Sequence, residues 1–341
     1  MLTNASKKAF FLPSALSTEF LSLLKNTRKE VVLFLDYDGT LTPIVDRPEM
    51  AVLSNEAREA INNLSHYFRI AVVSGRTRTD VQDRVGLPHL FYAGSHGFDI
   101  SGPVKHIRHD RAGLVVQTLL TQDCSSQWTT QKRDDGTDVV TFQVAKECIP
   151  VLRRIYETLK ESLSDIEGCI LENNIFSLSV HYRLIKDERD VQRVSEIVEG
   201  ICKDESQVVH THGKMVHEIR INTDWNKGKA VQFLLNFWNV GSSDKVLSVY
   251  IGDDKTDEDA FKVLKDHDLG VGVLVSPTNV ERFEAVLTQD DSASVPSVPG
   301  DGTIAAAPNA NPQFLTYAKY HLKDPKMVVE FLQTLLKEWK E

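Results

Sequence analysis

Asp36 and Asp38 stand two residues apart, directly after the apolar run VVLFL, within the stretch VVLFLDYDGTLTPI. Two carboxylates this close repel one another, so their delivery into a glycine turn points to a chemical use. One carboxylate can attack phosphorus and form an aspartyl-phosphate. Its neighbour can protonate the leaving oxygen and later take a proton from water. A second acidic group, Asp253, Asp254 and Asp257, lies in the stretch YIGDDKTDED. If Asp36 and Asp38 meet Asp253 and Asp257, the charge requires a cation, and carboxylate oxygens suit Mg²⁺. Mg²⁺ also binds phosphate oxygens, so the cluster points to phosphoryl chemistry. Lys227, just after Asn226, can add positive charge. Ser74 and the backbone amides near Gly39 and Gly75 can hold other phosphate oxygens. Thr40, Arg76, Ser95 and His96 complete the polar set at the strand ends, with Arg76 a candidate substrate contact. No GxxxxGKS or GxxxxGKT pattern occurs, so this is not a P-loop nucleotide site.

These residues need elements that bring them together. The short apolar runs VVLFL (31–35) and RIAVVS (69–74) read as strands buried on both faces. LFYAGSHG (90–97) is a third strand entering a glycine-flanked loop. Between the first two, Ser54 caps a predicted helix whose Ala57, Ala60, Ile61, Leu64 and Phe68 share one face. Thr77 with Asp80 resembles a capping box opening a short helix. After residue 226 the rhythm recurs: helix 226–238, strand 245–252, helix 256–264 and strand 269–275. Strand–helix alternation implies a parallel sheet with crossover helices, and such sheets bind ligands beyond the carboxyl ends of their strands.

Between about 113 and 220 the pattern changes to helix–strand–strand twice over, with helices at 146–164 and 187–202. In SLSVHYR (177–183), Leu178, Val180 and Tyr182 alternate with Ser179, His181 and Arg183, as in a half-exposed antiparallel strand. The expected fold is therefore α/β, a Rossmann-like parallel sheet core with an inserted α+β cap domain. The expected boundaries are core residues 1–112, with 1–28 an N-terminal extension, cap residues 113–216, and core residues 217–341. The Ser-, Pro-, Ala-, Asp- and Gly-rich stretch 288–313 is expected to be a flexible surface loop. Asp324-Pro325 opens a last helix.

Composition narrows the function class. With 341 residues the chain suits two domains, and 41% hydrophobic with 26% charged residues is ordinary for a globular protein. The net charge of −9, without a basic patch, argues against nucleic-acid and anionic-membrane partners. Cys124, Cys148, Cys169 and Cys202 are scattered and read as reduced, mostly buried thiols. No run is long enough to span a membrane, and Pro13 interrupts the first apolar stretch, so no secretory signal is expected. A cytoplasmic monomer is the expectation, with a plastid left open because no acidic residue precedes Glu19. His106, His109, His210, His212 and His217 fit no closed zinc spacing and read as surface residues.

The ordered motifs DYDGT, SGR, NKG and GDDKTDED resemble those of the haloacid-dehalogenase-type phosphatases. DYDGTLTPI, YAGSHGFDI, LSVHYR, HEIR and YIGDDKTDEDAF resemble, more narrowly, the trehalose-6-phosphate phosphatase family over residues 30–285. LKDPKMVVEFL is similar to its plant-type branch. The resemblance implies Mg²⁺-dependent release of phosphate from a small-molecule sugar phosphate. It implies Asp36 as nucleophile and metal ligand, Asp38 as acid/base with its carbonyl on the metal, Asp253 as ligand and Asp257 in support. Ser74 and Lys227 would grip phosphate, and His96 would face the sugar. Glu172, His181, Arg183 and Glu218 match cap positions that hold sugar hydroxyls. Two departures stand out: Asn174 where many relatives carry lysine, and Ile221 where the family pattern has proline. Another sugar phosphate, such as sucrose phosphate, or a silent sugar-phosphate sensor are the competing readings.

Overall fold

The computed structural model describes residues 9–45, 47–110, 113–118, 128–133, 136–213, 215–278, 281–283 and 316–340. The expected loop at 288–313, Cys124 and the side chains of His106 and His109 lie outside the described residues. In chain order the first part holds β1 (Ala9–Phe11), α1 (Thr18–Asn26), β2 (Glu30–Leu35), α2 (Asn55–Leu64), β3 (Arg69–Val73), α3 (Arg78–Val85) and β4 (Phe91–Gly94). Then follow β5 (Asp99–Pro103), β6 (Lys105–Asp110), β7 (Gly113–Thr118), β8 (Thr129–Lys132) and β9 (Asp138–Gln143). The cap elements are α4 (Ile149–Ser162), β10 (Ile170–Asn173), β11 (Ser177–His181), α5 (Glu188–Cys202), β12 (Val208–Gly213) and β13 (Val216–Ile221). The chain closes with α6 (Lys227–Phe237), β14 (Val246–Gly252), α7 (Glu258–Asp266), β15 (Gly270–Val275), β16 (Glu281–Phe283), β17 (Tyr320–Leu322) and α8 (Pro325–Lys340).

The central sheet runs β17-β15-β14-β2-β3-β4-β5-β9-β8. It is parallel from β17 to β4 and antiparallel beyond. β2 sits in the middle, and Val31 to Leu35 are buried because both faces of the sheet are covered. Val31, Leu33 and Leu35 face a core shared with Phe20, Ala57, Ile61 and Phe331. Val32 and Phe34 face the opposite core, with Val231, Leu234, Trp238 and Phe261. The predicted caps are realised: Ser54 accepts from the Ala57 amide, Thr77 from Asp80 and Asn226 from Lys229. A cap at Asn226 fixes Lys227 in the first turn of α6, aimed at the end of β2.

The cap is a four-stranded antiparallel sheet, β10-β11-β13-β12, with α4 and α5 against one face. Leu178, Val180, Ile219 and Ile221 join Leu152, Ile155, Val194 and Val198 in its own core. Its extent differs from the 113–216 expected from sequence. β8 and β9 extend the central sheet instead, because Trp128 and Phe142 stack on Phe233 and Phe237 of α6. β13 belongs to the cap sheet through Ile221. The described residues of the expected N-terminal extension pack into the core, within which the expected boundaries place them. Ala15, Phe20 and Leu24 are fully buried, and the Ala15 amide bonds to the His321 carbonyl at 3.0 Å.

Candidate active site

The carboxyl ends of β2, β3, β4 and β14 converge under the cap, around a cleft of ≈ 670 Å³. Asp36 follows β2 and is buried. Its Oδ1 accepts from Lys227 Nζ at 2.8 Å, and the same ammonium donates to Asp257 Oδ1 at 2.8 Å. Tyr250 Oη donates to that Asp257 oxygen at 2.7 Å, and the amides of Asp253 and Asp254 donate to its other oxygen, each at 3.1 Å. Asp257 is thus held by four donors and itself holds Lys227 and the 253–254 turn. Thr40 Oγ1 donates to Asp253 Oδ1 at 3.3 Å. Gly39 makes this approach feasible: its φ is +83°, and a Cβ there would lie 2.1 Å from Asp253 Oδ2.

Charge in this pocket is lopsided. Asp36, Asp253, Asp254 and Asp257 surround one buried ammonium. Burial, opposed by Lys227 and reinforced by the other carboxylates, drives the Asp36 carboxyl well above its usual range. Burial and then Asp257 push Asp253 up to about 7. Burial also opposes the Asp254 charge, yet Lys227 and the Thr256 hydroxyl hold that carboxyl at about 2. Lys227 is raised despite its burial, because Asp257 and Asp36 face it. Carboxylate oxygens of Asp36, Asp253 and Asp257 lie within 4.8 Å of one another. An all-oxygen group with surplus negative charge fits a hard divalent cation of the Mg²⁺ class. With Asp257 engaged by its four donors, Asp36 and Asp253 are the side chains placed to hold it.

Asp38 lies beside this pocket in a different setting. Its carboxylate is gripped in bidentate fashion by Arg76, with Nε to Oδ2 and Nη2 to Oδ1 both at 2.7 Å. Arg76 also donates to Asp80 at 2.9 Å, and Arg84 donates to both Asp80 oxygens. The sequence singled out Arg76 as a substrate contact. The structure places it in the cleft wall, committed to Asp38 and Asp80. The roles of Asp80, Arg84 and Tyr250 had no sequence signal beyond the i,i+4 spacing of Arg76, Asp80 and Arg84.

Ser74 is buried at the end of β3, its Oγ accepting from the Arg76 amide at 3.1 Å, and Gly75 lines the cleft. Ser95 and His96 both adopt positive φ, 49° and 57°. Three bonds fix this turn: Ser95 amide to Arg76 carbonyl, His96 amide to Ser74 carbonyl, and Ser95 Oγ to the Asn174 carbonyl of the cap at 2.7 Å. The turn aims His96 into the cleft, where burial and then the Arg220 and Lys227 charges depress its imidazole to about 3. His96 is therefore neutral at physiological pH.

The cap contributes the roof. Glu172, Ser179 and Glu218 stand in register across β10, β11 and β13, on the face turned away from the cap's apolar core. Glu172 pairs with His181 at 3.2 Å, and that hydrogen bond lowers its carboxyl. Glu218 accepts from Arg220 Nε at 2.8 Å, one strand pair along. Asn174 lines the same cleft. Arg183 is exposed on the turn after β11 and does not line the cleft, unlike the other three cap residues singled out by sequence.

The parallel sheet presents two carboxylates from one strand end, a lysine bound to the first of them and an acidic pair from a fourth strand, the arrangement that the haloacid-dehalogenase-type motifs of the sequence imply. The comparisons narrow the class. The trehalose-phosphatase family model matches residues 34–292, and the chain belongs to that family. It is 42% identical over 330 residues to the probable trehalose-phosphate phosphatase 2 of Oryza sativa subsp. japonica, covering 96% of this chain and 74% of the relative. It is 36% identical to trehalose-phosphate phosphatase B of Arabidopsis thaliana, covering 96% and 72%. The fold matches the C-terminal domain of the C. albicans trehalose-6-phosphate phosphatase at a TM-score of 0.60, with 20% identity and coverage of 96% and 99%. No helix among the described residues is long and apolar enough to cross a membrane.

Proposed function

We propose that this protein hydrolyses trehalose 6-phosphate to trehalose and phosphate, the last step of trehalose biosynthesis, through an aspartyl-phosphate on Asp36. The observation that carries the reading is the pairing of Asp36 with Lys227, next to Asp38, beneath a cap face bearing Glu172, His181 and Glu218. Lys227 fixes one oxygen of Asp36 and leaves the other to attack phosphorus as the bond to the sugar oxygen breaks. Asp38 delivers a proton to that departing oxygen. It then takes a proton from the water that attacks the aspartyl-phosphate, freeing phosphate and restoring Asp36. Arg76 holds Asp38 as an acceptor here, so proton delivery requires that pairing to open as phosphate enters. Asp36 and Asp253 would hold a Mg²⁺ ion, which supplies charge neutralisation to the phosphate and the carboxylates. Ser74, the Gly75 turn and Lys227 would grip the phosphate, and Glu172, Glu218 and neutral His96 would accept or donate to sugar hydroxyls.

Phosphate release, measured with Mg²⁺ and with chelator, tests this on trehalose 6-phosphate, sucrose 6-phosphate, glucose 6-phosphate and mannose 6-phosphate. The expected result is cation-dependent turnover confined to trehalose 6-phosphate, reduced by about 10⁴-fold or more in Asp36→Asn with the circular dichroism unchanged. Preference for another sugar would discard the cap assignments and keep the core chemistry. Binding without turnover on every substrate would replace the enzyme with a sensor.

A further inference from the structure

Two groups of potential metal donors occur among the described residues, and only one belongs to the cleft. The other joins His210, His212 and His217 on the β12–β13 hairpin of the cap. His212 and His217 are direct partners across the strand pair, and His210 is two residues before His212 on the same face. Their ring centroids lie 4.7, 4.9 and 5.1 Å apart. His217 is buried, His210 half-buried and His212 exposed, so one side of the group opens to solvent. The sequence spacing suggested independent surface histidines. Strand pairing turns them into a cluster.

The hydrogen bonds around His217 follow the pattern of an oriented metal ligand. Ser195 Oγ on α5 lies 3.3 Å from the Val191 carbonyl and 3.1 Å from His217 Nε2. If Ser195 donates to that carbonyl, its oxygen accepts from Nε2–H. The lone pair of His217 then rests on Nδ1, which faces His210 Nε2 at 3.0 Å. Two imidazole nitrogens on one tetrahedral ion stand about 3.3 Å apart, given metal–nitrogen bonds near 2.0–2.1 Å. The existing separation needs only a small rotation. The donor atoms of all three rings already lie within 4.8 Å of one another. Glu199 and Cys202 line the adjoining cleft with His210 and offer a further donor beside water.

We propose that His210, His212 and His217 form a second, cap-borne metal site for a borderline divalent cation such as Zn²⁺, separate from the hard-cation site of the core. Three imidazoles favour this class of ion over Mg²⁺. Binding replaces the His210–His217 hydrogen bond, with the His210 proton moving to its other ring nitrogen. The ion staples β12 to β13 from the helix side. Glu218, next along β13 from His217, faces the catalytic cleft on the other side. The site therefore braces the strand that carries a sugar-facing carboxylate without touching the reacting atoms.

The test is titration of the full-length protein with Co²⁺ in excess Mg²⁺, followed by the visible absorption of tetrahedral Co²⁺. Zn²⁺ displacement of that signal and the thermal midpoint are measured in parallel. The expected result is a saturable signal displaced by Zn²⁺, with a Zn²⁺-dependent rise in midpoint. Both are lost in His212→Ala and in His210→Gln, whose folds are verified by circular dichroism, and both persist in Asp253→Asn. Weakening of about 10–100-fold in Ser195→Ala places the ion on His217 Nδ1. The proposal is overturned by absence of the signal, by a signal that survives both histidine substitutions, or by one that disappears with Asp253→Asn. These readouts stand independently of sugar-phosphate turnover.

Discussion

The floor and the roof of the cleft are built on different physical terms. On the floor, Asp36, Asp257 and Lys227 are buried, and each is fixed by partners from other strands and helices. On the roof, Glu172, His181, Glu218 and Arg220 are part-exposed, and each carboxylate pairs within the cap sheet. Burial makes floor charges expensive to leave unpaired, so their geometry is over-determined and suited to chemistry on a phosphate shared by many substrates. Roof pairs sit partly in water, where each contact contributes little to stability. They are free to exchange partners for sugar hydroxyls, which suits selection among substrates. Under the proposed function, the reaction belongs to the core and the choice of sugar to the cap.

The strongest way to break this contrast is Lys227→Ala. It removes the ammonium that Asp36 and Asp257 share and should cost roughly 3–5 kcal/mol of stability along with turnover, read by denaturant unfolding. An unfolding midpoint equal to wild type would mean that the floor is not an interlocked charge cluster. Glu218→Gln is expected to do the reverse. It should leave the unfolding midpoint within about 0.5 kcal/mol. On trehalose 6-phosphate it should lower kcat/KM by about 10–100-fold, the loss of one charged hydrogen bond, with hydrolysis of a small aryl phosphate unchanged. Equal losses on both substrates would move Glu218 from sugar selection into the chemistry.

A smaller effect separates the regions by pH. Burial lowers His96 to about 3 and His217 to about 4 in the folded protein, against about 6.5 unfolded. Below pH 6.5 the unfolded chain therefore binds more protons than the folded one. Stability should be flat on this account above about 6.5 and fall as pH drops toward the folded values, by at most about 1.4 kcal/mol per unit for each histidine. His217→Asn should shallow that slope through the cap alone. A slope unaltered by the substitution would show that His217 is not held neutral.

Much of the floor was legible because its residues sit at strand ends, in short segments where apolar runs break into Asp, Gly and Ser. The run Val31–Leu35 announces a buried strand, and whatever follows such a strand in a parallel sheet faces the ligand. The bidentate clasp of Arg76 on Asp38 was not legible, since it depends on how far the β3–α3 turn folds back toward β2. The cap boundary escaped for a similar reason. Residues 129–143 carry mixed polar and apolar residues that suit either sheet, and the aromatic stack of Trp128 with Phe233 and Phe237 decides in favour of the core. The histidine cluster was hidden by separation across a hairpin. His210 and His212 share a strand face by their two-residue spacing, but His217 joins them only through the register of β12 on β13.

The central claim is covalent: the phosphoryl group passes through Asp36. The most direct measurement is acid quench of the Mg²⁺-loaded protein during turnover of trehalose 6-phosphate, reduction with borohydride, and mass spectrometry of the peptides. An acyl phosphate is reduced to the alcohol, so the account predicts conversion of Asp36 to homoserine, dependent on substrate, with Asp38 and Asp253 unchanged. Conversion at a different carboxylate, or steady turnover with no residue converted at any quench time, would contradict it.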